Sequence, residues 1–194
     1  LFFSAYVKQR GAYFFFRSDG SRNGTFRLSD STVGGPGLVL GDRFLFVSQG
    51  LWATDGSAEG TGLITPVSTY DINGPCHQPV VARGLFFFGA NDGQHGYELW
   101  ASDGTAEGTR MVRDIDPGPD SSFPYRLTAV GDLAAFEASD RVHNVQPWLS
   151  DGTADGTRIA ADLYPVSSPE AFTVAGGHIF FLSTNELWVL TGGP

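Results

Sequence analysis

One cysteine, Cys76, and one methionine stand in 194 residues. A single cysteine excludes an intrachain disulfide framework and every Cys-x-x-Cys metal or redox motif. His-Glu-x-x-His, a Gly-x-Ser-x-Gly nucleophile elbow and a phosphate-cradling glycine loop are missing as well. Charge is scarce, at 17% of residues, and unbalanced: 12 Lys and Arg against 21 Asp and Glu, for a formal net charge of −9 and a pI near 4.7. Nucleic acid and anionic bilayers need a basic face, so neither is an expected partner. No apolar run approaches the ~20 residues that span a bilayer. No charged segment followed by an apolar one marks a secretory leader. The chain opens on Leu1, which suggests a processed protein or part of a longer one. No window carries a helical apolar period, and recurrent Gly and Pro would break one.

What the chain has instead is 26 glycines, 16 phenylalanines and a repeated phrase. Tyr97-Glu98-Leu99-Trp100-Ala101-Ser102-Asp103-Gly104-Thr105-Ala106-Glu107-Gly108-Thr109 returns around Trp148-Leu149-Ser150-Asp151-Gly152 and around Trp52-Ala53-Thr54-Asp55-Gly56. A worn copy has Phe16 in the tryptophan position, ahead of Asp19-Gly20 and Gly24-Thr25, and a stub at Glu186-Leu187-Trp188 closes the series. Trp52, Trp100 and Trp148 recur at an interval of 48 residues, within the range of four-stranded propeller blades.

Short apolar runs rich in Phe, Val, Ile and Leu, bounded by Gly, Pro, Asp and Ser, read as strands. The expected strands a, b, c and d fall in repeat copies at about 1–33, 37–73, 79–117, 124–165 and 170–194, in one domain over 1–194. The first copy begins at strand b and aligns without a gap on the third, Leu1-Phe2-Phe3 on Leu85-Phe86-Phe87. The expected fold is all-β: a β-propeller or propeller-like array of four-stranded antiparallel blades, about four to five units. Eighteen strands can be cut as three, twelve and three, or as a lone b, four c-d-a-b blades and a lone c. Either cut leaves apolar strand edges, which invite pairing with other chains. Protein subunits of a larger assembly, or further repeats of a longer chain, are the expected partners.

The phrase resembles the ELWxxDGT repeat of bacterial surface and secreted proteins, which Glu98 to Thr105 matches in full and Gly108-Thr109, Val112, Asp114 and Ile115 continue. The resemblance covers essentially the whole chain. It implies a propeller-like fold and an extracellular or cell-envelope location, in keeping with the low Cys, Lys and Met content. It implies no particular activity.

The candidate site residues follow from the repeat. Asp19, Asp55, Asp103 and Asp151 each precede a glycine, a pair that nucleates a hairpin through an Asx turn and a positive φ; a cation site with Glu59, Glu107 or Asp155 is the competing reading. Phe16, Trp52, Trp100, Trp148 and Trp188 are expected in blade cores, with sugar stacking as the competitor. Asp114, Asp116 and Asp120, with Ser122, have the alternating oxygens of a calcium loop, though Pro117 and Pro119 stiffen it. Asp30, Asp71 and Asp162 recur at the position of Asp114, as caps after strand d. His95 and His143 occupy matching loop positions. No catalytic pair emerges and no cofactor is expected, calcium apart. The expected function is a non-catalytic scaffold or adhesion module, and the alternative is a glycan-binding lectin-type propeller.

Overall fold

The structure is a computed structural model that describes residues 1–29, 35–69, 78–161, 163, 170–176, 178–184 and 186–190. Asp30, Asp71, Cys76, His77 and Asp162 lie outside the described residues. Among the described residues there is no helix. Eighteen strands build five antiparallel sheets.

Unit 1 comprises β1 (Phe2–Val7), β2 (Ala12–Arg17) and β3 (Phe26–Arg27). Unit 2 comprises β4 (Gly37–Leu40), β5 (Arg43–Val47), β6 (Leu51–Thr54) and β7 (Gly62–Thr65). Unit 3 comprises β8 (Val80–Ala82), β9 (Leu85–Asn91), β10 (Tyr97–Ser102) and β11 (Arg110–Arg113). Unit 4 comprises β12 (Tyr125–Val130), β13 (Leu133–Ser139), β14 (Val145–Ser150) and β15 (Arg158–Ile159). Unit 5 comprises β16 (Glu170–Ala175), β17 (His178–Ser183) and β18 (Glu186–Leu190). Each sheet is a simple meander in chain order, and no strand belongs to two sheets. Of the two ways to cut the strands, the sheets follow three, twelve and three.

The core lies between sheets, in layers that each draw on two consecutive units. Phe15, Leu28 and Phe46 form the first, with Phe2, Phe44 and Trp52 against them. Leu45, Leu51, Ala53, Phe86, Phe88 and Trp100 belong to the second. Phe87, Leu99, Ala101, Phe136 and Trp148 belong to the third, and Ala135, Leu149, Phe172 and Phe181 to the fourth. Strand periodicity explains the division, since successive side chains point to opposite faces. Thus Phe86 and Phe88 turn back towards unit 2, while Phe87 between them faces unit 4. Each sheet therefore has a back face towards the preceding unit and a front face towards the next.

One sequence expectation is corrected here. A gapless alignment of unit 1 on unit 3 would set Ser4 opposite Phe16, as Phe88 stands opposite Trp100. The observed partner of Phe16 is Phe3. The loop between β1 and β2 is one residue shorter than its counterpart in unit 3, so Phe3 is the structural equivalent of Phe88. A slip of one residue exchanges the two faces of a strand. Leu1, Phe2 and Phe3 are all apolar, so their pattern could not fix the parity.

Candidate functional site: the repeat hairpins and the surfaces between units

The Asp-Gly hairpins are built alike. In unit 3 the Oδ1 of Asp103 accepts from the Thr105 amide at 2.9 Å and the Thr105 hydroxyl at 2.7 Å. The Gly108 amide donates to Thr105 Oγ1 at 3.0 Å, and the Thr109 hydroxyl to the Thr105 carbonyl at 2.5 Å. Ser102 closes the loop by accepting from the Gly104 amide at 3.0 Å and meeting Thr109 Oγ1 at 2.7 Å. The same bonds recur around Asp19, Asp55 and Asp151. Gly20, Gly56, Gly104 and Gly152 have φ of +89° to +94°, a region glycine reaches without penalty. The second glycine has another reason. A Cβ on Gly24, Gly60, Gly108 or Gly156 would collide with the aspartate carboxylate of its own loop.

These bonds hold all four carboxyls below the usual aspartate range. The side-chain bond leads for Asp55, Asp103 and Asp151, and the backbone bond for Asp19. Each carboxylate bonds its own turn, and that of Asp151 also meets Arg83. Among the described residues no group of three or more His, Cys, Asp or Glu is placed to share a metal ion.

The hairpins also dock on neighbouring units. Arg17 of unit 1 donates to the Gly56 carbonyl of unit 2 at 3.0 Å, Arg43 of unit 2 to Gly104 of unit 3 at 3.0 Å, and Arg110 of unit 3 to Gly152 of unit 4 at 2.9 Å. Arg113 adds a bond to the Thr157 carbonyl at 2.6 Å, and Arg83 an ion pair to Asp151 at 3.4 Å. The turn glycines of units 2 to 4 lie against the preceding unit: Gly56 against Arg17, Gly104 against Leu40 and Leu45, Gly152 against Leu85 and Phe87. Sequence reasoning missed these arginines because they come from different strands in each unit. The recurrent Ser or Thr ahead of each Asp-Gly was a visible signal left unused.

The calcium candidates are arranged differently from a cation loop. Asp114 Oδ2 accepts from the Gly118 amide at 3.2 Å. Asp116, 4% exposed, and Asp120 both pair with Arg141 from the loop before β14, Asp116 at 3.0 Å. The guanidinium thus stands between two of the three carboxylates and ties unit 4 to the loop leaving unit 3. Beneath that loop is Glu98, fully buried. Its carboxylate accepts from the amides of Ile115 at 3.1 Å, Asp116 at 3.4 Å and Ser122 at 3.0 Å, and from the Ser122 hydroxyl at 2.6 Å. Burial pushes the carboxyl up to about 7, against the opposing pull of these bonds. Gln146 fills the same place in unit 4, its Oε1 accepting from the Leu163 amide at 2.8 Å. A polar residue inside an apolar strand, at one position in two repeats, was the signal that could have marked this anchor.

His95 and His143 are also equivalent in detail. Each Nδ1 lies 2.7 Å from an aspartate three residues back, Asp92 and Asp140, whose other oxygen accepts from the backbone amides of the same loop. The bond to Asp92 raises the pKa of His95.

The aromatic positions form one cross-strand pair per unit: Phe3–Phe16, Phe46–Trp52, Phe88–Trp100, Phe136–Trp148 and Phe181–Trp188, with centroids 5.6 to 6.5 Å apart. Trp100 and Trp148 are buried at 9% and 4% exposure, Trp52 and Phe16 are half-buried, and Trp188 is 38% exposed. The expected core position therefore fails for Trp188. The residue following the tryptophan position in the preceding unit accompanies this difference. Ala53 and Ala101 precede the two buried rings; Arg17 and Leu149 precede Trp52 and Trp188. A small front residue leaves room for a tryptophan, and a large one keeps it out.

The chain matches no protein-family model, and no curated protein is significantly similar to it.

Proposed function

We propose that the chain is a non-catalytic scaffold or adhesion module of the ELWxxDGT repeat kind, working outside the cell or in the cell envelope. The five sheets form a propeller-like array in this reading, each blade stacked front to back on the next. One observation carries the reading: the buried carboxyl and amide groups serve the frame of the repeats, while unit 5 keeps apolar side chains in water. Glu98 and Gln146 anchor loops, Asp116 holds Arg141 across units 3 and 4, and Glu137 accepts from Arg126 within unit 4 at 2.9 Å. Leu182, Leu187 and Val189 are exposed on unit 5 at 41%, 66% and 41%. Apolar surface left in water is a surface for association with protein.

A lectin would present equivalent aromatics in every repeat. The exposed rings Tyr6, Tyr13, Phe26, Phe123 and Trp188 sit at unequal positions, so the glycan alternative draws no support from them. A glycan panel with the 194-residue chain tests the choice, run beside binding of an apolar fluorescent dye. Expected are no saturable glycan binding, and dye binding that falls in Leu187→Lys. Saturable binding of one glycan class, retained in that variant, would overturn the scaffold reading.

A further inference from the structure

We infer that the edge of β2 at Tyr13 receives an extended, acidic segment of a partner protein, with a hydroxyl residue placed two positions ahead of an aromatic one. The inference rests on the interaction-module reading and names a site and a partner class for it.

The equivalent place in unit 3 is occupied, and its occupant defines the chemistry. Tyr97 lies on β10 three residues before Trp100, opposite Asn91. Its amide donates to Ser121 Oγ at 2.9 Å, and its carbonyl accepts from the Phe123 amide at 3.1 Å. Its ring stacks on that of Phe123, with centroids 6.1 Å apart. The segment leaving unit 3 thus runs along β10 and takes both backbone groups of Tyr97 together with its ring.

Tyr13 holds the same position in unit 1, three residues before Phe16 and opposite Tyr6. The carbonyl of Phe15 accepts from the Leu28 amide at 2.9 Å, so the backbone groups of Phe15 point away from β1. Alternate residues of a strand turn these groups to the same side. Those of Tyr13 therefore point the same way, past the end of β3, where no described residue bonds them. They lie in the plane of the sheet, not on a face that a stacked repeat covers. The ring is open as well. Tyr13 is 62% exposed, and among the described residues its ring contact is Tyr6, 56% exposed, at 5.3 Å. Unit 2 leaves both rings clear. Its β5–β6 ladder ends at Val47–Leu51, one pair beyond Phe46–Trp52, whereas Tyr6–Tyr13 is the third pair beyond Phe3–Phe16. Two further pairs carry the tyrosines about 7 Å past the neighbouring strands.

Charge selects the partner. Lys8 and Arg10 occupy the β1–β2 turn beside the tyrosines, both exposed and without a side-chain partner among the described residues. Residues 1–29 hold five Lys and Arg against Asp19 alone, in a chain of formal net charge −9. Basic groups at an open strand edge favour an acidic segment and reject a basic one. Backbone bonds at such an edge supply affinity, and the side chains beside it supply specificity. The segment that fills Tyr97 has this character, reading Asp120-Ser121-Ser122-Phe123.

The test uses a fluorescent synthetic peptide with the sequence of residues 116–125, titrated with the 194-residue chain and followed by anisotropy. Saturable binding is expected, weakened at least about tenfold by Tyr13→Ala and by alanine at the peptide position of Phe123. Lys8→Glu combined with Arg10→Glu is expected to weaken it by a similar factor and to flatten its salt dependence. Circular dichroism and thermal melts establish that the variants fold; if Tyr13→Ala does not, the double variant in the exposed turn carries the test. No binding at about 1 mM chain, or binding that the folded variants leave unchanged, overturns the inference. In that event dye binding lowered by Leu187→Lys still supports the interaction-module reading. Saturable binding of a glycan that is lost in Tyr13→Ala, with no peptide binding, overturns both.

Discussion

The carboxylate of Asp103 fills the space into which a side chain on Gly108 would have to grow. The second glycine of each hairpin is therefore fixed by its aspartate, and the two positions are coupled. Gly108→Ala is expected to cost about 1–3 kcal/mol by overpacking, and Asp103→Ala about 1 kcal/mol through lost turn bonds. In the double variant the alanine methyl meets no carboxylate, so the combined loss is smaller than the sum. Urea unfolding of the four proteins measures it. Strictly additive losses would mean that the two residues do not share this space.

Arginine docking makes the hairpins part of the stack. Arg43 lies in strand β5 and reaches the carbonyl of Gly104 at 3.0 Å, in the next unit. Its loss leaves the carbonyl of a buried residue without that donor, so Arg43→Ala should cost about 1 kcal/mol. The exposed Arg22, in the hairpin of unit 1, is the control, and Arg22→Ala should stay within about 0.5 kcal/mol of wild type. Equal effects of the two substitutions would reduce the docking bond to a surface contact.

Much of this architecture was legible in the repeat. The Phe and Trp spacing, the Asp-Gly turns and the short apolar runs placed the eighteen strands, and left two ways of grouping them into sheets. The parity of β1 was not legible, because Leu1-Phe2-Phe3 is apolar on both faces. Nor were the inter-unit arginines, since Arg17, Arg43 and Arg110 come from strands β2, β5 and β11 and share only a destination. Glu98 reads in sequence as one acid among many. Only folding sets it beneath the amides of Ile115, Asp116 and Ser122. The exposure of Trp188 goes with a leucine, Leu149, at the position that is alanine ahead of Trp100 and Trp148, a residue 39 positions earlier, which no local pattern connects to it.

The tryptophans should separate by accessibility. Trp148 and Trp100 are 4% and 9% exposed, Trp188 is 38% exposed. Acrylamide quenching should resolve a shielded and an accessible population, and Trp188→Phe should remove most of the accessible, red-shifted part. Trp148→Phe should leave that part in place. An unchanged quenching curve for Trp188→Phe would place the ring inside the unit 4 to unit 5 layer after all.

Glu98 makes stability depend on pH in an unusual direction for an acid. Its carboxyl is raised from 4.5 to about 7 by burial, so the folded protein holds a proton that the unfolded chain releases. The contribution is fully present below about pH 4.5 and is lost as pH rises through about 7, amounting to on the order of 3 kcal/mol at most. Proton uptake has a ready structural route. The Ser122 hydroxyl now donates to Glu98 Oε2 at 2.6 Å and lies 3.4 Å from the Tyr97 carbonyl. With Glu98 protonated it accepts from the acid and donates to Tyr97 instead. His95, raised by its bond to Asp92, adds in the same sense, its contribution being lost as pH rises through its own elevated value. The lowered aspartates act in the opposite sense and only at acid pH, below 3.8. Glu98→Gln removes the titration while keeping the shape, as Gln146 does in unit 4. Wild type is therefore expected to lose stability between about pH 5 and pH 7.5, and Glu98→Gln to lose distinctly less over the same interval. Urea unfolding across that range decides it, read as the difference in slope, since the amide also changes stability at every pH. Parallel curves for the two proteins would mean that Glu98 is ionised throughout and that its four donors outweigh its burial.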